Sequence, residues 1–135
     1  MNTPAPEPKY GPTNPAPETR EAMPVKRFAS VTELNLEKEQ YYRELHADTW
    51  PGVLDRLRES NIQNYSIYIM ETEGRKYLFS YCEYTGQDFE SDMKAIADDP
   101  ETRRWWKETD PCQIQLPTRQ PGAKWKDLEM VFLME

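Results

Sequence analysis

One histidine, His46, occurs in the 135-residue chain, and Tyr42 stands four residues before it. At helical spacing these two side chains share a face, with Cβ atoms about 5–6 Å apart. With a reference pKa of about 6.5, an imidazole is the side chain suited to taking up and releasing a proton near neutrality. The rest of the sequence is unusually rich in aromatic groups with polar tips: Trp50, Tyr65, Tyr68, Trp105 and Trp106. Indole faces stack on the apolar C–H faces of sugars, and phenol hydroxyls bond sugar hydroxyls. Proton transfer on a polyhydroxylated small molecule is the chemistry these residue types offer. The competing reading is structural: a lone histidine on a helix is more often a surface or core residue, and the Trp105-Trp106 pair can be core. Adjacent helical residues point about 100° apart, so one indole can be core while the other faces a pocket.

Composition removes several other classes. A net charge of -7 argues against nucleic acid, which selects for basic patches. No apolar run approaches the roughly 18 residues needed to span a membrane. The start, Met1-Asn2-Thr3-Pro4, has neither a basic nor an apolar segment of the kind a secretory signal carries, so a cytoplasmic protein is expected. Cys82 and Cys112 match no ligand or redox spacing and read as two reduced thiols. With one histidine and no clustered cysteines, no metal site is expected. The five glycines are scattered, so no phosphate-cradling loop is present, and no G-x-S-x-G marks a nucleophile.

Residues 1–25 carry Pro4, Pro6, Pro8, Pro12, Pro15, Pro17 and Pro24 among polar residues, and read as a disordered proline-rich tail. Residues 26–135 read as the folded domain. Phe28, Ser30 and Thr32 alternate with Ala29, Val31 and Glu33, predicting a first strand. Asn35 is a plausible N-cap for a helix carrying Tyr42 and His46. Pro51 disfavours helix at Trp50 and can open a second helix with Val53, Leu54 and Leu57 on its buried face. Ile62–Met70 predicts a strand with Tyr65, Ile67 and Ile69 on one side and Ser66 and Tyr68 on the other. A hairpin through Glu71–Gly74 leads into a strand over 76–84, apolar on both faces and therefore expected to be covered twice. Asp88 and Asp99-Pro100 punctuate two further helices, the second carrying Trp105 and Trp106. Residues 128–134 predict a last strand. This order is the split βαβ pattern of a ferredoxin-like α+β fold, an antiparallel sheet with helices on one face. The bare face of so small a sheet calls for a second subunit, so a homodimer is expected.

The assembly Tyr42-x-x-x-His46, Trp50-Pro51, Asn64-Tyr65-x-Ile67-Tyr68, Arg104-Trp105-Trp106 and the closing Glu129-Met130-Val131-Phe132 resembles the L-rhamnose mutarotase family. The resemblance runs from about Arg27 to Met134 and leaves out the proline-rich tail. It implies a dimeric ferredoxin-like protein, a dimeric α/β-barrel-like assembly, that interconverts the α and β anomers of a 6-deoxy sugar without a cofactor. It further implies that His46 is the proton donor, with Tyr42, Tyr65, Trp105 and Trp106 lining the sugar site. The segment Thr109-Asp110-Pro111-Cys112-Gln113 departs from the family's rhamnose-specific members, which keeps L-fucose beside L-rhamnose as a substrate. A non-catalytic sugar-binding or sensor module would use the same aromatics, with His46 as a hydrogen-bonding residue only.

Overall fold

The computed structural model describes residues 4–135. Its elements are α1 (Pro17–Glu21), β1 (Lys26–Leu34), α2 (Glu39–Ala47), α3 (Pro51–Glu59), β2 (Ile62–Thr72), β3 (Arg75–Tyr84), α4 (Phe89–Asp98), α5 (Pro100–Thr109), β4 (Gln113–Ile114) and β5 (Lys126–Asp127). Four strands follow the spatial order β2-β3-β1-β4, every pairing is antiparallel, and β5 joins the same edge of β1 as β4. This is the ferredoxin-like α+β arrangement expected from the sequence. No helix among the described residues is long and apolar enough to cross a membrane.

Local chemistry accounts for the element ends. The Asn35 side chain accepts from the amide of Glu37 (3.1 Å), starting a single 3₁₀ turn that continues into α2. Pro51 stands in the first turn of α3, where its missing N–H costs nothing. Asp88 caps α4 through the amide of Ser91, and Asp99 caps α5 through the amide and hydroxyl of Thr102. At the β2–β3 hairpin both central residues have positive φ, Glu73 at 52° and Gly74 at 77°. That geometry matches the twist of the flanking strands, and glycine adopts it without steric cost.

The core lies between the sheet and α2–α5 in two adjoining clusters. Leu34, Tyr42, Leu78 and Cys112 form one, with Ile67 and Trp125 packed against it. Ile62, Tyr84 and Ile96 form the other, with Leu57, Cys82, Met93 and Trp106 at its edge. A fully buried aliphatic side chain here contributes about 1.5–3 kcal/mol. The opposite face of the sheet leaves Tyr68 and Met70 exposed.

Two stretches differ from the expectation. The predicted last strand, 128–134, makes no ladder; the edge of β1 is filled by the short β4 and β5 instead. After Leu128 donates to the carbonyl of Ala29 (2.9 Å), the chain leaves the sheet with Val131, Phe132 and Met134 exposed. The ladders on this edge of β1 end at Ser30, and the arm passes residues 26–28 without forming one. The second difference concerns the tail, whose first three residues lie outside the described ones. Asn14 is buried, its Nδ2 donating to the carbonyl of Lys9 (2.7 Å). Arg20 in α1 donates to the carbonyl of Pro15 (2.7 Å) and to Asn14 Oδ1 (3.2 Å). The amide of Leu133 reaches the carbonyl of Thr13 (2.8 Å), joining tail to arm. Prolines restrict the unfolded chain, so a few polar contacts suffice to order a segment that lacks apolar periodicity.

Candidate active site

A cavity of about 560 Å³ opens between α2, α3 and α5 and the β2–β3 side of the sheet. His46 forms part of its wall, near the C-terminal end of α2. The Nδ1 atom of its imidazole lies 2.8 Å from the carbonyl oxygen of Tyr42, one turn earlier. That carbonyl can only accept, so Nδ1 carries the proton and donates, and Nε2 is left to serve the cavity. The ring stacks on Tyr42, centroids 4.0 Å apart at 27°, and meets the edge of Trp105 at 5.2 Å. Burial lowers the pKa of His46 from its ordinary value, and the Tyr42 carbonyl opposes this more weakly. The imidazole is therefore neutral at pH 7.

Trp105 is 7% exposed and crosses Trp50 edge to face, also at 5.2 Å. Trp106, one position on, lines another part of the wall and holds the ammonium of Lys124 4.4 Å above its ring. Both indoles of the predicted pair thus reach the cavity. Tyr65 joins them from β2. The residue is half exposed, while burial pushes its phenol up to about 12, with the Cys82 thiol adding a smaller effect.

Tyr42 is placed differently. It is 3% exposed and sits behind His46 in the core beside Leu34, Leu78 and Cys112. Its hydroxyl is buried and makes no hydrogen bond of ordinary geometry; burial holds its pKa well above the ordinary phenol range, and the Gln113 side chain opposes this weakly. A buried donor left unmade costs about 1–3 kcal/mol. Leu54 and Leu57, expected on a buried helix face, stand with Ile62, Met93 and Ile96 to give the cavity an aliphatic side. Thr49, Ser66 and Cys82 also line it, and no signal in the sequence separates them from other polar positions. Among the described residues, no Asp, Glu, Lys or Arg stands in this wall.

A neutral imidazole, two indoles, a protonated phenol and an aliphatic side can hold a small polyol with one apolar end and move a proton on it. A family model described as L-rhamnose mutarotase matches residues 27–134. The chain is 32% identical over 111 residues to an L-rhamnose mutarotase of Bacillus subtilis (strain 168), covering 82% of this chain and 100% of that protein. It is 31% identical over 112 residues to an L-rhamnose mutarotase of Brucella anthropi, covering 83% and 99%. The crystal structure of an L-rhamnose mutarotase from Formosa agariphila superposes with a TM-score of 0.61 at 26% identity, covering 82% of this chain and 99% of that one.

Proposed function

The chain belongs to the L-rhamnose mutarotase family, and we propose that it interconverts the α and β anomers of L-rhamnose with His46 carrying the proton. The observation that supports this role for His46 is its tautomer. With Nδ1–H donated to the Tyr42 carbonyl, Nε2 offers a lone pair to the cavity. Nε2 takes the proton from the anomeric hydroxyl as the bond between C1 and the ring oxygen breaks. The imidazolium then gives that proton to the ring oxygen, leaving an open-chain aldehyde. C1 turns about its bond to C2, the ring oxygen attacks the other carbonyl face, and the proton returns by the same route. General acid–base assistance of this kind typically contributes about 10²–10⁴-fold. Each proton leaves and re-enters through one group, which suits a wall that has no carboxylate among the described residues.

Trp105, Trp106 and Tyr65 hold the sugar, the indoles against C–H faces and the phenol against a hydroxyl. Tyr42, outside the cavity wall, serves the site through its ring, which backs the His46 imidazole, and through its carbonyl, which fixes the tautomer. The aliphatic side around Leu54, Leu57, Met93 and Ile96 suits the methyl of a 6-deoxy sugar. A C6 hydroxyl placed there would lose its water without a replacement partner.

The pH profile tests the proton carrier. A histidine whose folded pKa lies below 6.5 is deprotonated at neutrality, so the exchange rate should be flat from pH 7 upward. It should fall as the pH drops through a midpoint below about 6.5, as Nε2 loses its lone pair. A rate that instead rises steadily on acidification to pH 5 would rule out neutral His46 as the initiating base.

We put the folded unit at residues 26–135, a boundary that the family match from residue 27 supports. Removing residues 1–24 should lower the melting temperature by no more than a few degrees and leave the exchange rate unchanged, since none of them lines the cavity. Loss of activity in the truncated protein, measured beside its calorimetric transition, would reject that boundary. We also propose a homodimer, in which a second copy covers Tyr68, Met70 and the exposed arm at Val131, Phe132 and Met134. Light scattering at micromolar concentration should return twice the 16.0 kDa chain mass; a mass of one chain would reject the dimer.

A further inference from the structure

The start of β2 is irregular. Ile62 opposes Tyr84 and Gln63 opposes Glu83, but the next pair is Ser66 with Tyr81. Two residues, Asn64 and Tyr65, thus face the single residue Cys82, which is a β-bulge. Side chains along a strand alternate between faces, so an extra residue moves everything beyond it to the other side. Ile62 packs into the core beside Tyr84 and Ile96, and beyond the bulge it is Tyr65 and Ile67 that line the cavity. In an unbroken strand Tyr65 would share a face with Gln63, away from His46.

The bulge has its own supports. Asn64 has φ 48°, in the left-handed region that asparagine tolerates better than most side chains. Its amide donates to Glu83 Oε1 at 2.8 Å. Gln63 Nε2 donates to the same oxygen at 2.9 Å, and the Tyr81 hydroxyl donates to Oε2 at 2.6 Å. One carboxylate on β3 therefore gathers both residues at the break in register. We infer that Asn64 and Glu83 are positioning residues for the reaction, locking the bulge that turns Tyr65 into the sugar site.

The hydroxyl of Tyr81 and the amides of Asn64 and Gln63 hold the Glu83 carboxyl down to about 2, with a smaller contribution from Arg27. The carboxylate, and with it the lock, persists across the working pH range. None of these groups touches the sugar; they act on it only through Tyr65. The inference rests on the reading of this cavity as the sugar site, and the experiment keeps the two apart.

Steady-state anomer exchange is measured for Tyr65→Phe, Asn64→Val, Asn64→Gly and Glu83→Ala, with circular dichroism on each. Tyr65→Phe should raise KM about tenfold, the size of one lost hydrogen bond to the sugar, with kcat changed much less. Asn64→Val, whose branched side chain resists positive φ, should match it, as should Glu83→Ala. Asn64→Gly lacks the amide but adopts the same φ freely, and should return KM to within about threefold of wild type. A purely structural role would not give this split between KM and kcat or the rescue by glycine. If Tyr65→Phe raises KM while Asn64→Val, folded by circular dichroism, does not, the positioning role is overturned and the sugar site stands. If Asn64→Val fails to fold, Glu83→Ala and Asn64→Gly decide: wild-type KM in the first, or a tenfold rise in the second, overturns it. If Tyr65→Phe leaves KM at the wild-type value, the assignment of Tyr65 to the sugar site falls, and the inference with it.

Discussion

Replacing His46 with glutamine should bring anomer exchange of L-rhamnose down by about 10²–10⁴-fold, toward the uncatalysed rate. Glutamine keeps much of the size of the side chain and can still donate to the Tyr42 carbonyl, so the end of α2 should be undisturbed. What it lacks is a nitrogen that gains and loses a proton between pH 5 and 8. Sugar affinity should change little, since Trp105, Trp106 and Tyr65 remain in the wall. Exchange followed by saturation-transfer NMR, beside a binding titration, separates the two quantities. Full exchange activity in His46→Gln would sink the proton-carrier assignment. A wild-type protein that binds the sugar but never accelerates exchange would instead be a binding module.

Tyr42→Phe should do something less usual: stabilise the protein and leave sugar binding unchanged. The hydroxyl of Tyr42 is buried with no hydrogen-bond partner, so deleting it removes a desolvation cost of about 1–3 kcal/mol from the sugar-free fold. The ring is retained, and with it the stack on His46 and the packing against Leu34, Leu78 and Cys112. The backbone carbonyl that fixes the imidazole tautomer is untouched. Sugar-free Tyr42→Phe should therefore melt several degrees higher than wild type. Its KM for L-rhamnose should stay near the wild-type value, because Tyr42 lies behind His46 and outside the cavity wall. A lower melting temperature would mean that the hydroxyl already has a partner in the free protein, and a raised KM would put Tyr42 against the sugar.

The parts of this protein that were legible in its sequence are those fixed by short-range geometry. Tyr42 and His46 are one helical turn apart, so their shared face follows from spacing alone, and Pro51 marks the break between α2 and α3. The caps at Asn35, Asp88 and Asp99 are likewise local. Residue type made Trp105 and Trp106 candidates, but only packing shows that Trp105 meets His46. The bulge at Asn64 was hidden because its cause lies about twenty positions away in sequence, on Glu83. The side on which Tyr65 falls was anticipated from alternation with Ile67 and Ile69, without the irregularity that produces it. Residues 128–134 alternate well enough to predict a strand, yet alternation alone does not make the backbone ladder that defines one. The tail was judged by its lack of apolar residues, which says nothing of the hydrogen bonds Asn14 and Arg20 make.

The breadth of the cavity has a consequence for what the enzyme can accomplish. At about 560 Å³ it is far roomier than a pyranose ring needs, leaving the open-chain aldehyde space to swing its end through half a turn. A site that lets go of the anomeric carbon in this way must accept both hands of the ring it closes. Like any catalyst it shortens the wait for equilibrium and leaves the balance point where it was. Its value to a cell lies in tempo: where a neighbouring catalyst consumes a single anomer, this protein replenishes that pool from the other.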